Sequence, residues 1–189
     1  MCNDTLRTVH ALPAGANPLN RKLREVRGLV IGSKALEGQT GHEAGRELLA
    51  QMYRQRTGKE MPAIAVTDRG KPYFIEGDVH FSVSHTGKCV FCVLSDRPVG
   101  IDAESTDRII DPKLAEKILS PAEKARYEKA PDKNAALLRL WVQKEAYAKL
   151  CGRSWGRYLY DTEFDPESPA VQEMKGCFVA VLEEKDNVI

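Results

Sequence analysis

The chemistry this sequence could support is concentrated in four short stretches. In Gly100-Ile101-Asp102-Ala103-Glu104, an extended chain would put Asp102 and Glu104 on one face, roughly 7 Å apart at their roots. Glu is one methylene longer than Asp, so both carboxylates can converge on one cation. Without a cation the two charges repel, and one carboxyl tends to keep its proton. Hard oxygen donors of this kind suit magnesium, which keeps part of its water shell and is commonly shared with substrate phosphates. Acidic pairs at strand ends are common, and this pair alone specifies no reaction.

The second stretch is Trp141-Val142-Gln143-Lys144-Glu145-Ala146-Tyr147-Ala148-Lys149. Trp141, Glu145 and Lys149 follow one another at i, i+4 and share a helix face, with Lys144 one residue aside. Spacing alone favours a plain reading, with Trp141 as a core anchor and Glu145–Lys149 as a surface ion pair worth little. The third stretch, Phe81-Ser82-Val83-Ser84-His85, leads into a loop with Gly87 and Lys88. Ser84 and His85 at a strand end offer donors to an anion, or the serines line the wet face of a hairpin. Strict alternation puts His85 on the side of Val83 unless the turn re-aims it. The fourth, Gly70-Lys71-Pro72, is a turn carrying a cation.

These stretches need elements to hold them. Thr40 and Glu43 have the spacing of a capping box, and the apolar recurrence Ala44, Leu48, Leu49, Met52, Tyr53 predicts a helix to about Arg56. Ile64 and Val66 read as a short strand. Val79 to Ser84 alternates as a half-buried strand, Cys89 to Leu94 as one buried on both faces, and Val99 to Glu104 as a third. Asp111-Pro112 and Ser120 with Glu123 start helices. A longer helix is expected from about Asp132 to Cys151, closed by Gly152, and Cys177 to Leu182 reads as a last strand. Residues 1 to about 40 are the least legible. Pro13, Gly15 and Pro18 mark turns there, and Arg21, Lys22, Arg24 and Arg27 form a basic cluster best read as a solvated helix face. The sum is a mixed α+β chain.

Composition narrows the classes. The 189 residues are 42% hydrophobic and 29% charged with a net charge of +1, so no global field favours nucleic acid or a membrane surface. A chain of this length buries roughly 70% of its unfolded surface and needs no staples. Its five cysteines, an odd number, suggest free thiols in a reducing compartment. No run approaches the roughly 20 apolar residues of a membrane span, and Met1 to Thr8 lack a signal-peptide layout. A cytoplasmic protein is expected.

Taken in order, the four stretches resemble the Sfp-type 4′-phosphopantetheinyl transferases. The Gly-Lys-Pro turn, the Phe-x-x-Ser-His strand end, Gly-Ile-Asp-x-Glu and Trp-x-x-Lys-Glu-Ala-x-x-Lys stand here in that family's order and approximate spacing, and the last two together are quite specific. The resemblance runs from about Gly45 to Lys149. It implies an α+β fold of two similar halves in pseudo-twofold arrangement, residues 1–97 and 98–189, the second carrying the metal-binding acids. Coenzyme A and magnesium would lie between the halves.

The activity it implies is transfer of the 4′-phosphopantetheine group from coenzyme A to a serine of an apo acyl- or peptidyl-carrier protein. Asp102, Glu104 and Glu145 would be the magnesium ligands. Gly70, Lys71, Pro72, Ser84 and His85 would contact coenzyme A, and Lys144 and Lys149 would steady its pyrophosphate. Glu145 would also be the base that takes the serine proton. A monomer would form the whole cleft, with no nucleic acid or membrane partner. One departure is notable: the glycine-rich stretch after the second lysine is altered to Cys151-Gly152-Arg153-Ser154-Trp155-Gly156.

Rival readings are a non-catalytic module that binds coenzyme A or a carrier protein, which the intact acidic triad argues against, and a nucleotide hydrolase, for which no G-x-x-x-x-G-K-[ST] loop exists. Cys89-x-x-Cys92 matches a zinc or redox spacing. In a strand, however, those residues face opposite sides and no second pair completes a site, so free thiols are expected. Lys113, Lys117, Lys124 and Arg126 offer a docking surface for an acidic helix, but Glu116, Glu123 and Glu128 are interleaved, and a solvated face is the default.

Overall fold

Apolar alternation sorts the chain into two sheets and two covering helices. The computed structural model describes residues 28–184 and the backbone of 6–8; the turns at Pro13, Gly15 and Pro18 and the basic cluster from Arg21 to Arg27 lie outside the described residues. In chain order the elements are β1 (Leu6–Thr8), β2 (Val30–Ala35), α1 (Gly41–Thr57), β3 (Ile64–Val66), β4 (Pro72–Phe74), β5 (His80–His85), β6 (Cys89–Ser95) and β7 (Val99–Ser105), then α2 (Lys113–Ile118), α3 (Pro121–Lys129), α4 (Lys133–Cys151), α5 (Arg157–Asp161), β8 (Val171–Met174) and β9 (Cys177–Glu184). The protein is α+β, as the sequence pattern implied. Among the described residues no helix is long and apolar enough to cross a membrane.

One antiparallel sheet has the order β2-β6-β5; in the other, β9 pairs with β7 and with β1 and β8. A separate two-stranded hairpin joins β3 and β4. Alternating side chains then build four layers. From β6, Val90, Cys92 and Leu94 pack with Leu49, Met52 and Tyr53 of α1. The other face of β6, with Phe91 and Val93, meets Val99, Ile101, Val179 and Val181 of the second sheet. That sheet's outer face, with Phe178, Ala180 and Leu182, packs under Leu138, Val142 and Ala146 of α4. The order is α1, sheet, sheet, α4.

Two local devices position the site. Gly100 lets β7 seat directly on the α4 backbone: a Cβ there would lie 2.0 Å from the Ala146 carbonyl oxygen and 2.5 Å from the Leu150 nitrogen. Asp102, on the same face of β7, is thereby brought against α4. At the far end of α4, Gly152 (φ +59) adopts the left-handed C-cap that glycine tolerates and turns the chain back along the helix.

Donors on α4 hold this returning segment by its carbonyls. Lys144 Nζ donates to Leu159 (2.6 Å) and Thr162 (3.3 Å), Gln143 to Asp165 (2.9 Å), and Arg139 to Ser168 (3.3 Å) and Val171 (3.2 Å). The segment forms a strap from Arg153 to β8.

Candidate active site

A cleft of about 330 Å³ opens between the turn before β4, strand β5, the last turns of α4 and the start of the strap. Cavities of this size suit small-molecule ligands. Gly70, Lys71, Pro72, Phe81, Ser82, Val83, Glu145 and Lys149 all line it, so three of the four sequence stretches meet at one place. The turn is built by Thr67, whose hydroxyl accepts from the Lys71 nitrogen (3.1 Å), and by Gly70 at φ +87. Lys71 Nζ donates to the Leu150 carbonyl (2.7 Å), at the negative end of α4. The turn and the helix end are therefore tied together.

The remaining candidates stand differently. Ser84 is buried and donates to Asp102 Oδ1 (2.8 Å), while its oxygen accepts from the Ala103 nitrogen (3.3 Å). Ser82 accepts from the Ile101 nitrogen (3.1 Å). The two hydroxyls thus satisfy the edge of β7, and the wet-face reading of these serines does not hold. His85 keeps the strict alternation: its ring lies over Gly41 at the start of α1, on the side of Val83, and does not line the cleft.

Lys144 is also elsewhere. Its side chain is fully buried, 2.9 Å from Glu123 Oε2 and beneath the strap, not at a pyrophosphate position. The cause is angular: one residue along a helix is roughly 100° of rotation. Burial pulls the Lys144 ammonium below its ordinary range, against the opposing charge of Glu123. Glu123, interleaved among surface charges in the sequence, closes the capping box with Ser120 and also accepts from the Phe164 nitrogen (2.9 Å).

The three carboxylates sense one another across β7 and α4. Burial raises the Glu145 carboxyl above its usual range, and the charges of Asp102 and Glu104 push the same way. Glu104 is likewise raised by burial and by Asp102, with Arg108 and a hydrogen bond from Trp141 opposing. Each also has its own protein donor: Lys149 reaches Asp102 at 2.7 Å, Arg108 pairs with Glu104, and the Trp155 indole donates to Glu145. Lys149 therefore pairs with Asp102 and not with Glu145 as helical spacing suggested.

Among the described residues no three His, Cys, Asp or Glu side chains stand in a preformed metal-holding group. The donor set still fits magnesium in kind. It consists of hard carboxylate oxygens whose mutual repulsion a cation would relieve, and magnesium needs only one or two of them beside water and phosphate.

Three site residues were not among the candidates read from the sequence. Arg69 and Arg153 line the cleft and have no ion pair among the described residues. With Lys71 and Lys149 they set four cations against Glu145 on the cleft wall. Trp155 also lines it, stacked on Trp141. The altered glycine-rich stretch was the one hint of the last two. The described cysteines are free thiols, with Cys92 buried and Cys89 half-buried; burial pushes the Cys92 thiol up to about 12. Lys124 pairs with Glu116, and Lys133 with Glu128 at 2.5 Å, as on a solvated face.

Comparison with known proteins shows what the chain is similar to. Residues 98–178 match the 4′-phosphopantetheinyl transferase superfamily. The chain is 36% identical over 92 residues to the 4′-phosphopantetheinyl transferase gsp of Aneurinibacillus migulanus, covering 48% of this chain and 37% of that protein. It is 35% identical over 120 residues to the 4′-phosphopantetheinyl transferase AcpT of Salmonella typhimurium, covering 59% and 58%. It is 30% identical over 112 residues to the 4′-phosphopantetheinyl transferase Sfp of Bacillus subtilis strain 168, covering 57% and 48%. The matching region thus spans from 37% to 58% of the length of these relatives. Residues 98–178, which carry Asp102, Glu104, Glu145 and Lys149, are thus similar in sequence to the 4′-phosphopantetheinyl transferase superfamily.

Proposed function

We propose that this protein transfers the 4′-phosphopantetheine group of coenzyme A to a serine hydroxyl of an apo acyl- or peptidyl-carrier protein, with magnesium. The observation that carries the reading is the cleft wall, where Arg69, Lys71, Lys149 and Arg153 face one carboxylate, Glu145. Such a wall attracts a polyanion and sets one potential base beside it. The relatives' names supply the reaction class.

Asp102, Glu104 and Glu145 would hold the magnesium, which when bound offsets charge on the pyrophosphate and on the leaving 3′,5′-ADP. Glu145 takes the proton from the carrier serine, directly or through water, and its raised carboxyl range brings its basicity toward neutrality. The serine oxygen attacks the phosphorus that bears the pantetheine arm, and the bond to 3′,5′-ADP breaks. Lys149, with Arg69 and Arg153, stabilises the charge that develops on the transferring and leaving oxygens. Lys71 fixes the turn of the anion site to the end of α4. Residues 1–97 and 98–189 are the two halves of this arrangement, in a single cytoplasmic chain acting as a monomer.

The test is intact mass spectrometry of an apo-carrier protein incubated with this protein, coenzyme A and magnesium. A gain of one phosphopantetheine, lost when a chelator is added, is the expected result. No gain across fatty-acid, polyketide and nonribosomal-peptide carriers, with coenzyme A still bound, would replace transfer by a binding role.

A further inference from the structure

The chain contains two tryptophans, and both stand against the acidic group. Trp141 lies one helical turn before Glu145 on the same face of α4, and its indole hydrogen-bonds Glu104. Trp155 arrives from the strap. Its ring stacks on Trp141 with centroids 5.0 Å apart and planes 20° from parallel, and its Nε1–H donates to Glu145 Oε1. The left-handed turn at Gly152 starts the strap, and Lys144 grips it again at Leu159 and Thr162. The indole is thus held from both sides in sequence and through its ring face.

Packing alone does not account for this residue. Trp155 is 39% exposed and lines the cleft; stacking on Trp141 explains the seat of its ring but not the aim of its N–H at Glu145. An indole N–H is a donor only. It can aim a carboxylate but cannot take that carboxylate's proton or replace it as a ligand. By occupying Oε1 it leaves Oε2 of Glu145 to act.

We propose that Trp155 is a positioning residue, whose indole N–H fixes the Glu145 carboxylate in the orientation from which it takes the serine proton and holds the metal. The proposal rests on the transferase reading above. Carboxylates that ligate metals are commonly oriented by a second hydrogen bond, and removing such a partner typically costs about 10- to 100-fold in metal affinity or activity. Stacking on Trp141 supplies the rigidity that a flexible donor would lack.

The experiment compares the full-length protein with Trp155→Phe, which keeps a ring for the stack and removes the N–H, and with Trp155→His, which restores a ring donor. Manganese serves as the metal probe, with its binding followed by electron paramagnetic resonance in the presence of coenzyme A. Transfer is followed by mass spectrometry and folding by thermal midpoint. For Trp155→Phe the expected result is a loss of about tenfold or more in both kcat and manganese affinity. The KM for coenzyme A and the midpoint should stay near wild type, and Trp155→His should recover part of the loss. Unchanged kcat and manganese affinity in Trp155→Phe would overturn the proposal. So would a lowered midpoint with kcat and KM drifting together and no recovery by His, which would make Trp155 a packing residue. A wild-type protein that neither transfers nor binds manganese would overturn the transferase reading, and this inference with it.

Discussion

Lys144 and Glu145 are neighbours in the sequence and serve two unlike groups of charges on different faces of α4. Under the strap, Lys144 meets Glu123, and both side chains are 0% exposed. Every remaining donor and acceptor of that pair is spoken for by the carbonyls of Leu159 and Thr162 and by the nitrogens of Ser120 and Phe164. On another face of the helix, Asp102, Glu104 and Glu145 crowd together with an amine, a guanidinium and an indole as partners, and burial and their neighbours' charges hold the Glu104 and Glu145 carboxyls above their usual range. The first group is closed and neutral. The second is half-wet, carries surplus carboxylate and borders a cleft with surplus cation. A dry, balanced pair holds structure, whereas an unbalanced, accessible group is poised for a ligand that completes it.

The comparison is broken most sharply by exchanging one charge on each side. Glu145→Gln keeps the size of the side chain and an acceptor for Trp155 but removes the base and a metal ligand. Transfer should fall by about a thousandfold or more, with a thermal midpoint close to wild type. A near-normal rate would remove Glu145 from the mechanism.

Lys144→Met should do the opposite. It strands a buried carboxylate and should cost about 3–5 kcal/mol, a fall on the order of 10 °C in midpoint for a chain of this length. Adding Glu123→Leu should return most of that stability, because a well-packed apolar pair commonly replaces a buried ion pair without loss. If Lys144→Met instead kept its stability and lost coenzyme A affinity, the pyrophosphate role implied by the family resemblance would be reinstated. The smallest effect is expected from Gly100→Ala. The added methyl overlaps the α4 backbone and should cost about 1–3 kcal/mol, and by separating β7 from α4 it should slow transfer as well. A variant as stable and active as wild type would show that the close seat of β7 does not set the site.

Much of the frame was legible because it is written in local pairs. Thr40 with Glu43, Ser120 with Glu123, Asp132 and Gly152 all mark helix ends where the sequence puts them, and β6 is buried on both faces as its unbroken apolar run implies. Other elements have no such signature. The strand β2 carries Gly32, Ser33 and Lys34 and is defined by its ladder to β6, and β8 by its pairing with β9. The site divides in the same way. Helical spacing put Glu145 and Lys149 on one face and set Lys144 aside, but it could not say that Lys149 would reach across to Asp102. Glu123 was already explained by its capping box, so nothing local pointed to Lys144. Arg69 and Arg153 meet only through the fold.

The strap carries a consequence for descent. Arg139, Gln143 and Lys144 grip it through main-chain carbonyls, a group that every amino acid brings. Its course is therefore encoded in α4, and many of its own side chains are left unconstrained by that grip. A lineage can rewrite such positions along the gripped stretch from Leu159 onward without having to rediscover the path.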